Sequence, residues 1–265
     1  MKNFPKLGNL TGLWIGLIAV FGTATAGAEE HFLICIPGAP GSSADAAERV
    51  DGFLSVLESD TGPMTGHYAT RADECDRILE MHSPRFALFS HGELARRAKA
   101  LKAVPILEVE GLEQGPNQYH LVVQKGTEEQ PLSGPLLSPH WRDFSWISSL
   151  FEGVDWSGFE GKRKGALRSL KKLSKGKIRA VLLNETERRA MAELPFADAL
   201  SVVKSSVELP GLAIVELGGL SSKGKALRKA GTSVCKGAPA QCKGVEIRSL
   251  KSTTADRYSR VIGTR

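Results

Sequence analysis

The first 28 residues read as a secretory signal peptide, so whatever follows them is expected to fold outside the cytoplasm. Lys2 and Lys6 are their only charges. An apolar run extends from Leu13 to Phe21, and small residues close the segment as Ala26-Gly27-Ala28 before Glu29-Glu30. A basic start, an apolar centre and an A-x-A end are the marks of a cleavable export signal. The apolar run falls short of the ~20 residues that span a bilayer. No cysteine stands just after the small residues, so a bacterial lipid anchor is not indicated. The mature chain is expected to begin near Glu29 and to be periplasmic or secreted. The 265-residue chain less these 28 leaves 237 residues.

Export sets the redox context. The four cysteines, Cys35, Cys75, Cys235 and Cys242, all lie beyond the signal. An oxidising compartment favours pairing. Cys235 and Cys242 flank Lys-Gly-Ala-Pro-Ala-Gln, a turn-forming stretch that suits a local disulfide. Cys35 falls in a predicted buried strand and Cys75 on a predicted helix. They either pair with each other or remain two small buried hydrophobes.

Charge is uneven. Residues 29–110 hold 14 acids and 8 Lys or Arg, whereas 111–265 hold 15 acids and 25 Lys or Arg. The basic excess centres on Lys162-Arg163-Lys164, Arg168, Lys171-Lys172, Lys175 and Lys177. Aromatic residues do not interleave with this run, as they would in a single-strand nucleic-acid platform. It reads as a solvated face, and no nucleic-acid partner is expected.

Hydrophobic periodicity gives an alternating order. His31-Phe-Leu-Ile-Cys-Ile-Pro37 is a strand, and Ala46, Val50, Phe53, Leu54 and Leu57 mark the buried face of a helix over 44–58. Short strands at 66–69, 85–90 and 103–109 alternate with helices at 73–81 and 91–101. Strands at 119–124, 136–137 and 178–183 follow, with helices at 141–151 and 184–194. Two further strands, 200–203 and 212–217, precede a helix at 222–230, the cysteine turn and an amphipathic tail. Alternation of this kind predicts α/β units with mainly parallel sheets. The strands near 104–124 and 200–217 are placed to carry the chain between two units.

The chain lacks His-Glu-x-x-His and Gly-x-Ser-x-Gly, and Gly38-Ala-Pro-Gly-Ser-Ser43 lacks the Gly-Lys-Ser/Thr end of a phosphate loop. The six histidines show no ligand spacing. No catalytic set, metal site or cofactor is expected. Small polar residues instead recur after strands: Ser42 and Ser43, Ser90 and His91, Ser138, and Asn184. Ligands of open α/β sheets bind at the carboxyl ends of strands, where helix N-termini offer free amides. Each of these residues also suits a plain helix cap. Trp141 and Trp146 fall partly off the apolar stripe of their helix, so one of them, Trp141 in the candidate site, is placed to wall a cleft.

The export signal, the first strand leading into a helix, Arg85-Phe-Ala-Leu-Phe-Ser90, Tyr119-His-Leu-Val-Val-Gln-Lys-Gly126, Leu132-Ser-Gly134 and Ser205-Ser-Val-Glu-Leu-Pro-Gly-Leu-Ala-Ile-Val215 together resemble a periplasmic solute-binding protein of the type II fold, most of all its phosphate/phosphonate-binding branch. The resemblance covers most of Phe32–Leu217 and rests on order and spacing. It implies a two-lobed α/β architecture with two hinge-crossing strands. Lobe 1 would be 29–112, completed by about 218–265, and lobe 2 with the crossing strands 113–217. It also implies a monomer that captures a small anionic or polar ligand for an ABC-type membrane permease, with no enzymatic activity. The loop Leu137-Ser138-Pro139-His140-Trp141 departs from the Ser/Thr-rich loop of the phosphonate binders, since only Ser138 keeps a hydroxyl. That departure leaves a second reading, a non-transport sensing or interaction protein that meets an envelope partner. Intact-mass measurement of the exported protein is expected to give a chain starting at Glu29. A chain retaining residues 1–28 would refute the cleavable signal.

Overall fold

The computed structural model describes residues 30–39, 43–112 and 116–263. The signal segment 1–28 and Ser42 lie outside the described residues. The first part runs β1 (Glu30–Cys35), α1 (Ser43–Thr61), β2 (Met64–Ala69), α2 (Ala72–His82), β3 (Phe86–Phe89), α3 (His91–Arg97) and β4 (Val104–Gly111). The second runs β5 (Tyr119–Gln124), β6 (Gly134–Ser138), a 3-10 turn at Trp141–Asp143, α4 (Phe144–Ser148), β7 (Phe159–Arg163), α5 (Ala166–Leu173), β8 (Ala180–Asn184), α6 (Glu185–Ala192) and β9 (Leu200–Ser205). The chain then returns through β10 (Leu212–Glu216), α7 (Ser222–Gly237), α8 (Pro239–Gly244), β11 (Ile247–Ser252) and, after a 3-10 turn at Ala255–Tyr258, α9 (Ser259–Ile262).

Two sheets form, ordered β11-β4-β10-β3-β1-β2 and β7-β6-β8-β5-β9. β1 pairs in parallel with β2 and β3, and β6 in parallel with β7 and β8. Parallel strands covered on both faces read as unbroken apolar runs. Phe32-Leu33-Ile34-Cys35 and Phe86-Ala87-Leu88-Phe89 are such runs, and all eight side chains are buried. The two-residue strand period sends alternate side chains to opposite faces. Leu33, Cys35, Ala87 and Phe89 join a core with residues of α2, α3, α4 and α9, whereas Phe32, Ile34, Phe86 and Leu88 join one with α1, α7 and α8.

The Lys/Arg-rich 158–176 region is ordered as β7 and α5, where Leu170 and Leu173 bury one face of α5 and Arg168, Lys171 and Lys172 form a solvated face, in line with the sequence reading. Three stretches differ from the sequence expectation. The helix expected over 141–151 shortens to a 3-10 turn and α4. The Ser148 and Ser149 hydroxyls donate to the Ser145 and Trp146 carbonyls, a competition that weakens helix continuation. Cys235 and Cys242 sit in α7 and α8 rather than in a turn. The tail contains β11, whose buried Ile247 and Leu250 lie three apart because the ladder with β4 shifts register between Ile247 and Ser249, which hides the two-residue alternation.

The chain passes between the sheets twice, between β4 and β5 and between β9 and β10, and the two passages are tied together. Leu209 donates its amide to Asn117 at 2.8 Å, and the Gln118 amide donates to the Ser206 carbonyl at 2.8 Å. Gly211 runs so close to β4 that a Cβ there would stand 2.2 Å from the Val109 carbonyl oxygen, so no larger residue fits.

Both disulfides form, Cys35–Cys75 and Cys235–Cys242, which settles the open pairing of Cys35 and Cys75. Their sequence separations are 40 and 7. Chain-entropy arguments scale stabilisation with the logarithm of the closed loop, giving ~4 kcal/mol for the first and ~2 kcal/mol for the second. Paired Cys→Ser variants are expected to lose stability in that order in denaturant titrations. Equal losses, or the reverse order, would refute the entropic ranking.

Candidate functional site: the cleft between the lobes

A cavity of about 730 Å³ opens between the two sheets. Ile36, just after β1, and Leu88 of β3 contribute from the first lobe, and Glu185, Thr186 and Arg189 of α6 from the second. Asn117, Leu209 and Gly211 of the crossings line it as well. It lies where the carboxyl ends of β1 and β3 face the start of α6, the position at which open α/β sheets take ligands. Glu108 and Glu110, two apart and so on one face of β4, also line the cavity. So do Glu208 and Glu246, and the arginines are Arg189, Arg248 and Arg257, giving five acids against three bases.

Most of these charges are held in place. Glu108 accepts from the Gly211 amide at 2.8 Å and pairs with Arg257 at 3.2 Å. Glu110 pairs with Lys251 and Arg248 and accepts from Ser249. These partners hold its carboxyl below the usual range. Glu185 is bound by Arg188, Arg189 and His120, and the hydrogen bonds from Arg188 and then Arg189 and His120 hold its carboxyl down at about 2.

The residues singled out by sequence fall elsewhere. Ser90 accepts from the Glu93 amide at 3.3 Å and caps α3. Asn184 and Glu187 form a reciprocal capping box at the start of α6. Ser138 is wholly buried, donates to the Leu182 carbonyl at 3.0 Å and accepts from the His140 amide at 3.0 Å. His91 is buried, with Nε2 2.9 Å from the Pro210 carbonyl. Trp141 stacks on Phe144 with centroids 4.2 Å apart and lies over Gly161, where a Cβ would fall 1.5 Å from the indole. Ser43 is the first residue of α1. None of Ser90, His91, Ser138, Trp141 and Asn184 lines the cavity; Asn184 directly precedes two residues that do. The hydroxyl and amide groups in this set serve their own backbones, whereas the acids of the cleft went unnoticed. Glu108 and Glu110, two apart in the otherwise apolar run 104–110, are the available sequence signal.

Beside the cavity the lobes touch. The Asp143 carboxylate presses on Gly92, where a Cβ would stand 2.2 Å from Oδ2, and Arg96 bridges to Asp143 at 3.2 Å. Burial raises the Asp143 carboxyl above its ordinary range, Arg96 opposing the shift. Arg142 reaches Asp76 at 3.6 Å, and Trp146 donates to the Arg260 carbonyl at 3.3 Å.

The histidines are less scattered than their spacing suggests. His120 lies 2.9 Å from the Ser205 hydroxyl and 2.7 Å from Glu185, which links β5, β9 and α6. Ser205 is exposed on β9 and outside the residues that line the cavity. His140 lies 2.8 Å from Glu187, and His31, His67 and His82 gather at the far end of the first lobe.

No family model and no curated protein sequence matches the chain. Solved structures do resemble it. A Xanthomonas citri protein bound to ATP superposes with a TM-score of 0.67 at 13% identity, over 88% of this chain and 94% of that one. A binding-protein component of an ABC phosphonate transporter from Pseudomonas aeruginosa gives 0.59 at 13% identity, over 86% and 83%. PhnD1 of Prochlorococcus marinus in complex with methylphosphonate gives 0.57 at 12% identity, over 88% and 96%. This chain has the type II periplasmic-binding-protein fold. Among its described residues no helix is long and apolar enough to cross a membrane.

In this fold the crossing segment depends on an uncharged His91. Burial pushes its imidazole below the ordinary value, with the Pro210 and Gly211 carbonyls opposing the shift. Below the unfolded value of ~6.5 the unfolded chain takes up a proton that the folded chain refuses, so stability falls as pH falls through that range. The slope from one such group is at most about 1.4 kcal/mol per pH unit. His91→Gln, which keeps a donor without titrating, is expected to flatten the pH dependence of the denaturation midpoint between about 6.5 and 5. An unchanged slope would contradict this role.

Proposed function

We propose that the protein is an exported solute-binding protein without catalytic activity, holding a small polar solute in the cleft between its lobes for an ABC-type permease. The observation that carries this reading is the 730 Å³ cavity, lined from both lobes at the carboxyl ends of β1 and β3 and the start of α6. The type II fold supports it, because relatives of that architecture include binding components of ABC transporters.

The charges favour a solute that carries positive charge, such as a cationic or zwitterionic metabolite. Anions bind helix N-termini through free amides and the helix dipole. Here the first turns carry carboxylates that would repel an anion: Glu93 in that of α3, Glu185 and Glu187 in that of α6. Together with the excess of acids in the cleft, this argues against the phosphonates named for two of the structural neighbours. A second reading, a sensing or interaction protein that does not transport, draws on the contact of Asp143 with Gly92 and the Arg96 bridge, which tie the lobes on one side.

Thermal denaturation with arginine, putrescine, methylphosphonate and phosphate separates these readings. A bound solute at 100 times its Kd adds ~2.7 kcal/mol, or about 5–10 °C for a chain of this size. A cationic solute is expected to give such a shift, and Glu110→Gln to weaken it about tenfold. A larger shift with methylphosphonate would overturn the charge argument. No shift with any small solute would favour the sensing reading.

A further inference from the structure

We propose that His31, His67 and His82 form a binding site for a divalent transition-metal ion of the zinc type, at the end of the first lobe remote from the cleft. Each offers one ring nitrogen, and the three lie within 4.8 Å of one another. His67 Nε2 stands 3.1 Å from His31 Nδ1, and the His67 and His82 rings stack with centroids 4.3 Å apart. Zinc–nitrogen bonds of ~2.0–2.1 Å in tetrahedral geometry set neighbouring nitrogens about 3.4 Å apart. Small ring rotations bring the observed arrangement to that spacing. Imidazole is a ligand that suits zinc, copper and nickel.

The convergence follows from strand and helix periods. Leu33 of β1 is in register with His67 of β2, so both face one side of the sheet. His31, two residues before Leu33, faces the same side. α2 covers that side and is pinned there by the Cys35–Cys75 disulfide. From Cys75 to His82 is seven residues, two helical turns along one face and about 10 Å. From Cys35 back to His31 is four strand residues, about 13 Å. The disulfide therefore fixes the register of helix on strand that lands His82 beside His31. α2 ends there, with Ser83 in the left-handed region at φ 45°.

The site is open on one side. A cavity of about 610 Å³ is lined by both His31 and His82, with Leu79, Pro84 and Arg85 beside them. Three protein nitrogens with solvent access leave the fourth position to water or a small donor. β1 runs from the histidine site to Cys35, and Ile36 just beyond it lines the interlobe cavity, so the metal and the solute sit at opposite ends of one strand.

The test uses the untagged, processed protein with its disulfides intact, titrated with zinc(II) by calorimetry and with cobalt(II) by visible absorption. One ion per chain is expected, with the intense visible bands of four-coordinate cobalt. His31→Ala, His67→Ala and His82→Ala are each expected to lower affinity by at least about 100-fold, and His140→Ala to leave it unchanged. The Cys35→Ser, Cys75→Ser pair, checked for folding by circular dichroism, is expected to lower affinity while keeping all three ligands. The absence of stoichiometric zinc binding would overturn the site, as would binding that survives His67→Ala and His82→Ala. Copper(II) held by those two variants but lost by His31→Ala would assign the ion instead to the chelate that a chain starting at Glu29 makes from its amino group and His31.

Discussion

The backbone of Pro210 and Gly211 is the point on which the two-lobed arrangement rests. Three elements distant in sequence grip it. His91 from the start of α3 binds the Pro210 carbonyl at 2.9 Å, Tyr258 from the last 3-10 turn donates to the Gly211 carbonyl at 2.9 Å, and Glu108 of β4 accepts the Gly211 amide at 2.8 Å. The absence of a side chain at Gly211 lets the strand lie against the Val109 carbonyl. Buried backbone groups that lose such partners cost ~1–3 kcal/mol each. One short segment thereby joins the return crossing to α3, to the last 3-10 turn and to β4, and the same Gly211 forms part of the cleft wall.

What sits above that wall bears on which solute this fold can take here. Function resides in the site and not in the architecture. The first turns of α3 and α6 carry the acids Glu93, Glu185 and Glu187, each engaged by arginines, histidines or a capping box, which places negative charge where a bound anion would face a helix N-terminus. Glu108 and Glu110, two residues apart on β4, and Glu208 on the return crossing add carboxylates to the lining. Beside it the Asp143 carboxylate presses on Gly92 across the lobes, and Ser90 and Ser138 on either side of that contact bond to backbone groups.

Much of the fold was legible because parallel strands leave a plain record. The runs 32–35, 86–89 and 180–183 are apolar on both faces, and α1 shows its buried stripe at helical spacing. β7 and α5 were hidden by their lysines, since Leu170 and Leu173 alone mark the buried face. β11 was hidden by a register shift that breaks its alternation. The site was harder still. Serine and asparagine after a strand look alike whether they cap a helix or hold a ligand, and here Ser90 and Asn184 cap. The histidine cluster spans three elements, 36 residues from His31 to His67 and 15 more to His82, so only the register of β1, β2 and α2 reveals it.

The account stands on the cleft between the lobes being the place where a positively charged solute binds. A crystal structure of the protein grown with saturating arginine tests this most directly. The account predicts the guanidinium or ammonium group against Glu110 and Glu185, with Thr186 and Asn117 beside it. Arginine absent from the cleft, or seated instead between Ser90 and Ser138 with Asp143 displaced from Gly92, would contradict it.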